Sequence, residues 1–224
     1  VLPSHQFPQK LLIITGPQGS GNHLFSRILS TGTQVGGWKG LLEKYWVPSD
    51  EEPFADYWIN PDSLTDKQFE GFDHWVANVS CPFFYDGTRY VPKIVEVAQR
   101  ASTLGLDVTI AIITRDKNIN AEQQLRVRKE ITTPIAQEYY YNDLIPSGFP
   151  VHFLSNEALF LHREHYLQWM SKILDFPIDY TNPDIFKFID QDPNSKYVKH
   201  VDQYWLDQEV WTGIQSKKAR GIDK

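Results

Sequence analysis

Residues 11–24 read LLIITGPQGSGNHL, an apolar run that stops at three glycines, Gly16, Gly19 and Gly21. Leu11 to Ile14 is a short apolar, partly β-branched run, which reads as a buried strand. Gly16 and Pro17 break it. Helical spacing then begins, with Leu24, Phe25, Ile28 and Leu29 on one face. A strand, a glycine turn and a helix form a cradle for an anion. Glycines let the backbone come close, successive N–H groups converge, and the helix start adds partial positive charge.

Against the nucleotide-triphosphatase pattern GxxxxGK[ST], the chain supplies the glycines but departs at two places. Asn22 stands at the Lys position and His23 at the Ser/Thr position. In such loops the Lys reaches the β- and γ-phosphates and the hydroxyl holds Mg²⁺. The loop therefore reads as an anion cradle without the fittings for a triphosphate and its metal.

Working outward, the 224 residues suit one domain over 1–224. The net charge of −6 gives no basic footprint for nucleic acid or an anionic membrane, so positive charge at an anion site must be local. A single cysteine, Cys81, excludes an intrachain disulfide and a cysteine-based zinc site, which suits a reducing, cytoplasmic setting. No apolar run reaches transmembrane length, and no signal peptide is visible, although the chain begins at Val1 rather than Met.

Strand-like runs at 11–15, 74–79, 108–113 and 151–154 alternate with helical patterns at 22–31, 91–102, 120–141 and 157–174. Pro134 is the expected break within 120–141, and Leu161 and Trp169 are among the expected packing residues of the last helix. This alternation predicts an α/β fold with three layers, a central parallel sheet flanked by helices. Ligands then sit at the carboxyl ends of the strands, where the glycine loop and the residues after Ile113 both fall. Residues 32–72 are irregular and rich in aromatics and acids, so they read as a substrate-covering insertion or as a surface excursion packed by its own aromatics. Residues 180–224 read as a C-terminal extension, and Arg126, Arg128 and Lys129 as a solvated helix face.

Four stretches, taken in order, resemble the sulfotransferases. These are Gly19-Ser20-Gly21-Asn22-His23-Leu24, Ser80-Cys81-Pro82-Phe83-Phe84-Tyr85, Ile112-Ile113-Thr114-Arg115-Asp116, and His152 to Leu159. That family uses a P-loop fold and 3′-phosphoadenosine 5′-phosphosulfate (PAPS) as sulfuryl donor. The resemblance implies a 5′-phosphosulfate held by Gln18, Gly19, Ser20, Gly21, Asn22, His23 and Leu24, with no metal expected. It implies that Arg115 grips the 3′-phosphate, a group its planar fork suits. Gln123 stands where the family has a Ser, and Lys196 is a candidate for a late-loop basic contact.

The chain also departs from the family. Gln18 and Gly19 replace the Lys or Arg that precedes the family's Ser-Gly, and Ser80 stands where many members carry a basic His. His23 becomes the candidate base, because imidazole titrates near neutrality. Asp86, in an Asp-Gly pair, reads as a turn residue. The resemblance implies transfer of a sulfuryl group from PAPS to a hydroxyl or amine of a small-molecule or carbohydrate acceptor, leaving PAP (the desulfated nucleotide). A P-loop kinase and a catalytically inactive nucleotide-binding protein of the same fold are the alternatives.

Overall fold

The computed structural model describes residues 8–44 and 47–191. The apolar run lengthens into β1, Lys10–Pro17, which is the middle strand of the sheet. On one side it pairs in parallel with β3, His74–Cys81, and on the other with β6, Asp107–Thr114. The short β2, Val35–Gly36, and β7, Val151–Ser155, complete the order β2-β3-β1-β6-β7. All four pairings are parallel, so every strand points its carboxyl end the same way.

Period-two alternation sends the two faces of β1 into two cores. Leu11 and Ile13 pack with Ala77, Val97, Ala98, Tyr140 and Leu144. Leu12 and Ile14 pack with Phe25, Ile28, Leu159, Leu167 and Met170. The first core is covered by α3, Ile94–Thr103, and α5, Thr133–Tyr139. The second is covered by α1, Asn22–Leu29, α6, Asn156–Leu174, and α7, Pro183–Asp190. Each fully buried Leu, Ile or Phe contributes about 1.5–3 kcal/mol. The result is the three-layer α/β architecture, a central parallel sheet flanked by helices, that the alternation predicts.

Several boundaries differ from the sequence reading, each for a local reason. The segment 120–141 is two helices. The first, α4, spans Lys117–Arg128 and stops where Lys129 turns left-handed at φ 64°. Pro134 lies in the first turn of α5, where a missing N–H costs nothing, so it starts a helix rather than breaking one. The helix expected at 91–102 begins only at Ile94, with Pro92 ahead of it. Within α6, Arg163 is non-helical at φ 45°, ψ −116°. That kink shifts the faces on either side, so Leu161 is 75% and Trp169 44% exposed instead of packed.

The irregular 32–72 stretch holds β2, the one-turn α2, Gly40–Glu43, and four short 3-10 turns between Ser49 and Phe69. Phe54, Trp58, Leu64 and Phe69 from it are buried in the first core. A hairpin follows β3, made of β4, Phe83–Tyr85, and β5, Thr88–Tyr90. Asp86 and Gly87 form its two-residue turn, both at positive φ, as a twisted hairpin requires. Lys196 and the rest of the C-terminal extension beyond residue 191 lie outside the described residues.

Candidate functional site

The loop between β1 and α1 is built so that its carbonyls face the scaffold. The carbonyl of Gln18 accepts from Gln124 Nε2 at 2.6 Å, that of Gly19 from Arg115 Nη1 at 2.6 Å, and that of Ser20 from Asn156 Nδ2 at 3.2 Å. A trans peptide unit points its N–H opposite its carbonyl. Drawing these carbonyls outward therefore turns the Gly19 and Gly21 N–H groups inward. The Ser20 N–H closes a turn on Pro17 O at 3.0 Å. Gly19 and Gly21 take φ of 84° and 106°, a region that favours glycine. Gly21 caps α1 without a side-chain oxygen, and the first-turn N–H groups of Asn22 and His23 have no intrahelical acceptor.

The two side chains that could have faced a ligand from the loop instead lock it. Ser20 Oγ donates to Asn22 Oδ1 at 2.7 Å. Asn22 Nδ2 donates to Gly16 O at 3.3 Å and to Ser80 Oγ at 3.2 Å, tying the loop to the end of β3. Both residues are almost fully buried. Asn22 thus occupies the Lys position of a triphosphate loop as a structural tie. Gln18 is equally buried, its Oε1 accepting from Thr132 Oγ1 at 3.0 Å.

Arg115 leaves the end of β6 and reaches back across the loop. Besides Gly19 O it donates to Gln123 Oε1, so Arg115, Gln123 and the loop form one contiguous edge. Asp116 caps α4, accepting from the N–H groups of Asn118 at 2.9 Å and Ile119 at 3.0 Å. Its own N–H donates to Glu157 Oε1 at 2.8 Å, which explains the acid near the start of α6. Lys117 is exposed and outside the cleft.

This edge borders a cleft of about 510 Å³ at the carboxyl end of the sheet. Gln18, Gly19, Gly21, Asn22, His23 and Leu24 line it from the loop, and Arg115 and Gln123 from the neighbouring edge. Ser20 does not line it, because its side chain is turned into the loop. The opposite wall is aromatic: Trp38, Trp58, Phe83, Phe84 and Phe188. The 32–72 stretch supplies Trp38, Leu41, Val47, Ser49 and Trp58, so it both packs the core and walls the cleft.

The charge of the cleft is opposite to that of the chain. Arg27, Arg115 and Arg128 line it, and no Asp or Glu does so among the described residues. Arg27 lies over the Phe188 ring at 3.8 Å and donates to Gln191 Oε1 at 3.2 Å, closing the far side. Arg128, read from sequence as a solvated residue, turns into the cleft instead. Arg89 pairs with Glu130 and lies 5.4 Å from the Phe84 ring centre.

His23 meets Trp38 edge-on, with ring centroids 5.1 Å apart. Burial lowers its pKa to about 4, and the Arg128 charge adds to the effect. The imidazole is therefore neutral at pH 7. Behind the wall, Glu52 is buried and holds the insertion against β3. Its Oε1 accepts from Asn78 N at 2.9 Å, and its Oε2 from Phe54 N at 2.7 Å and Trp58 Nε1 at 3.2 Å. Burial pushes its carboxyl up to about 8, against the pull of these donors. Among the described residues no cluster of three or more His, Cys, Asp or Glu could hold a metal ion.

No family model and no curated protein matches the chain. Among solved structures, a sulfotransferase domain from the curacin biosynthetic pathway aligns over 81% of this chain and 77% of that chain, with a TM-score of 0.48 and 12% identity. No helix among the described residues is long and apolar enough to cross a membrane.

The structure brings the loop, Arg115 and Gln123, all singled out from the sequence, to one edge. It adds Arg128 and Asn78 to the cleft lining, which the sequence did not offer. Arg128 sits in a run of surface charge on α4 and Asn78 within a strand, and neither position carries a local pattern that marks a cleft.

Proposed function

We propose that the cleft binds a sulfonucleotide and that the protein is a PAPS-dependent sulfotransferase. The observation that carries this reading is the cradle. Inward N–H groups and three arginines face one space that no described carboxylate lines, while the Lys position of the loop is a buried Asn tied to the sheet. That combination fits a 5′-phosphosulfate, a group with no γ-phosphate for a loop Lys to reach.

In this reading the N–H groups of Gly19, Gly21, Asn22 and His23 receive the 5′-phosphosulfate, with Gln18 and Leu24 shaping the loop and Ser20 holding it. Arg115, steadied by Gln123, receives the 3′-phosphate through its guanidinium. When bound, PAPS supplies the sulfuryl group that passes to an acceptor oxygen or nitrogen while PAP departs. The loop amides stabilise charge on the bridging oxygen, taking the part of the absent loop Lys. The neutral His23 imidazole takes the acceptor's proton, and an anion bound beside it raises its basicity from the low value of the free protein.

Calorimetric titration with PAP and, separately, with Mg-ATP tests the proposal. Micromolar affinity for PAP, exceeding that for Mg-ATP, is expected. Preference for Mg-ATP would favour a kinase instead. PAP binding without sulfation of any acceptor would indicate a nucleotide-binding protein that lacks the chemistry.

A further inference from the structure

The glycine loop carries no cationic side chain of its own: residues 16–26 hold no Lys or Arg, and His23 is neutral at pH 7. A cation comes to it from α4 instead, and the role of that cation rests on the sulfonucleotide reading. One ridge of α4 is pinned to the loop. The Asn120 amide, with its NH₂ toward the loop, donates to Gln18 O at 3.0 Å and Gly19 O at 3.1 Å. One turn on, Gln124 Nε2 donates to Gln18 O at 2.6 Å, and Gln123 Oε1 accepts from Arg115. Residues four apart on a helix share a face, so the next turn carries Val127 and Arg128 along the same ridge, and both line the cleft.

Two of the three cleft arginines are held by neutral partners. Arg115 donates to Gly19 O and Gln123 Oε1. Arg27 donates to Gln191 Oε1 at 3.2 Å and Leu42 O at 3.4 Å, and lies over Phe188. Arg128, half-buried, forms no ion pair with a described carboxylate, and none lines the cleft among the described residues. Burial and the neighbouring charge of Arg89 both disfavour its charged form, a cost that an anion beside it offsets. Its charge is felt by His23, which opens α1 next to the loop N–H groups, so Arg128 acts at the loop end of the cleft. In PAPS the group joined to the loop-bound phosphate is the sulfonate.

We propose that Arg128 binds the sulfonate of PAPS and is the residue through which the site tells the loaded nucleotide from PAP. From α4 it brings to the transferring group the positive charge that Gln18, Gly19 and Asn22 do not supply.

PAPS and PAP, titrated separately by calorimetry at pH 8 into wild type, Arg128→Gln and Arg128→Lys with no acceptor present, test the proposal. The two nucleotides then carry nearly the same total charge, because a 5′-phosphate freed of its sulfonate gains a second ionisation. A difference between them therefore reports where the charge lies. Arg128→Gln is expected to weaken PAPS about tenfold or more, the scale of one charged contact, and PAP by less than about threefold. Arg128→Lys is expected to recover part of the loss. Retained PAP affinity in the same variants shows that the loop is intact. Equal weakening of both nucleotides, which would place Arg128 on a phosphate they share, or a PAPS affinity untouched by Arg128→Gln would overturn the proposal. Failure of the wild type to bind either nucleotide would instead bring down the sulfonucleotide reading on which it rests.

Discussion

Replacing Glu52 by Ala should loosen the cleft wall from the sheet. The Glu52 carboxyl accepts from three buried or nearly buried N–H groups, those of Asn78, Phe54 and Trp58. Each buried donor left without a partner costs about 1–3 kcal/mol. Removing a buried carboxyl relieves some desolvation, so the net loss should be about 3 kcal/mol. For a domain of ordinary stability that is a large fraction of the total. Glu52→Gln should also destabilise, because its NH₂ must face at least one of the same donors.

Urea unfolding followed by tryptophan fluorescence measures both variants, with Trp58 inside the affected segment. The pH dependence gives a second reading. The Glu52 carboxyl is raised to about 8 in the folded chain from an ordinary value of 4.5, so the native state keeps a proton that the unfolded chain has lost. Its contribution is fully present below pH 4.5 and is lost as the pH rises through 8. The stability gap between wild type and Glu52→Ala should therefore be wider at pH 5 than at pH 8. A loss below about 1 kcal/mol at pH 7, with a gap independent of pH, would refute the idea that Glu52 pins the wall.

Other expectations concern the loop. Gly21→Ala places a Cβ 2.1 Å from Asn156 Nδ2 at a backbone φ of 106°, so nucleotide binding should be lost while the far core, probed by hydrogen exchange in α3, stays protected. Asn22→Ala removes a side chain that bonds Gly16 O and Ser80 Oγ, and should cost about 1–3 kcal/mol in chemical denaturation. If His23 is the base, kcat/KM should hold level from pH 8 down to about 5 and fall near its lowered pKa of about 4, rather than at the 6.5 of an ordinary imidazole. A fall centred at 6.5 would place the base elsewhere.

Much of the architecture was legible because its signals are local. A short, partly β-branched apolar run ending in glycines reads as a buried strand, and the position of Arg115 at the end of β6 followed from the V-T-I-A-I-I run before it. What escaped depends on distant partners. Glu52 stands in a row with Asp50 and Glu51 and looks like a solvated acid, yet an N–H on β3 draws it inside. Arg128 shares a charge run with Arg126 and Lys129, and only the end of α4 at Lys129 settles which way it turns. The 3-10 turns of the 32–72 stretch have no period to read, because single anchors such as Phe54, Trp58 and Phe69 hold them. Pro134 misled because proline breaks a helix in its middle but begins one at its first turn.

The central claim is that one site reads a 5′-phosphate at the glycine loop and a 3′-phosphate at Arg115. The most direct measurement is the ratio of affinities for PAP and 5′-AMP, which differ only by the 3′-phosphate, in wild type and in Arg115→Ala. Because Arg115 also braces Gly19 O, the 5′-AMP titration registers damage to the loop separately. PAP is expected to bind about tenfold or more tightly than 5′-AMP in the wild type, and the ratio to collapse toward one in the variant. Equal affinities in the wild type, or a ratio untouched by Arg115→Ala, would contradict it.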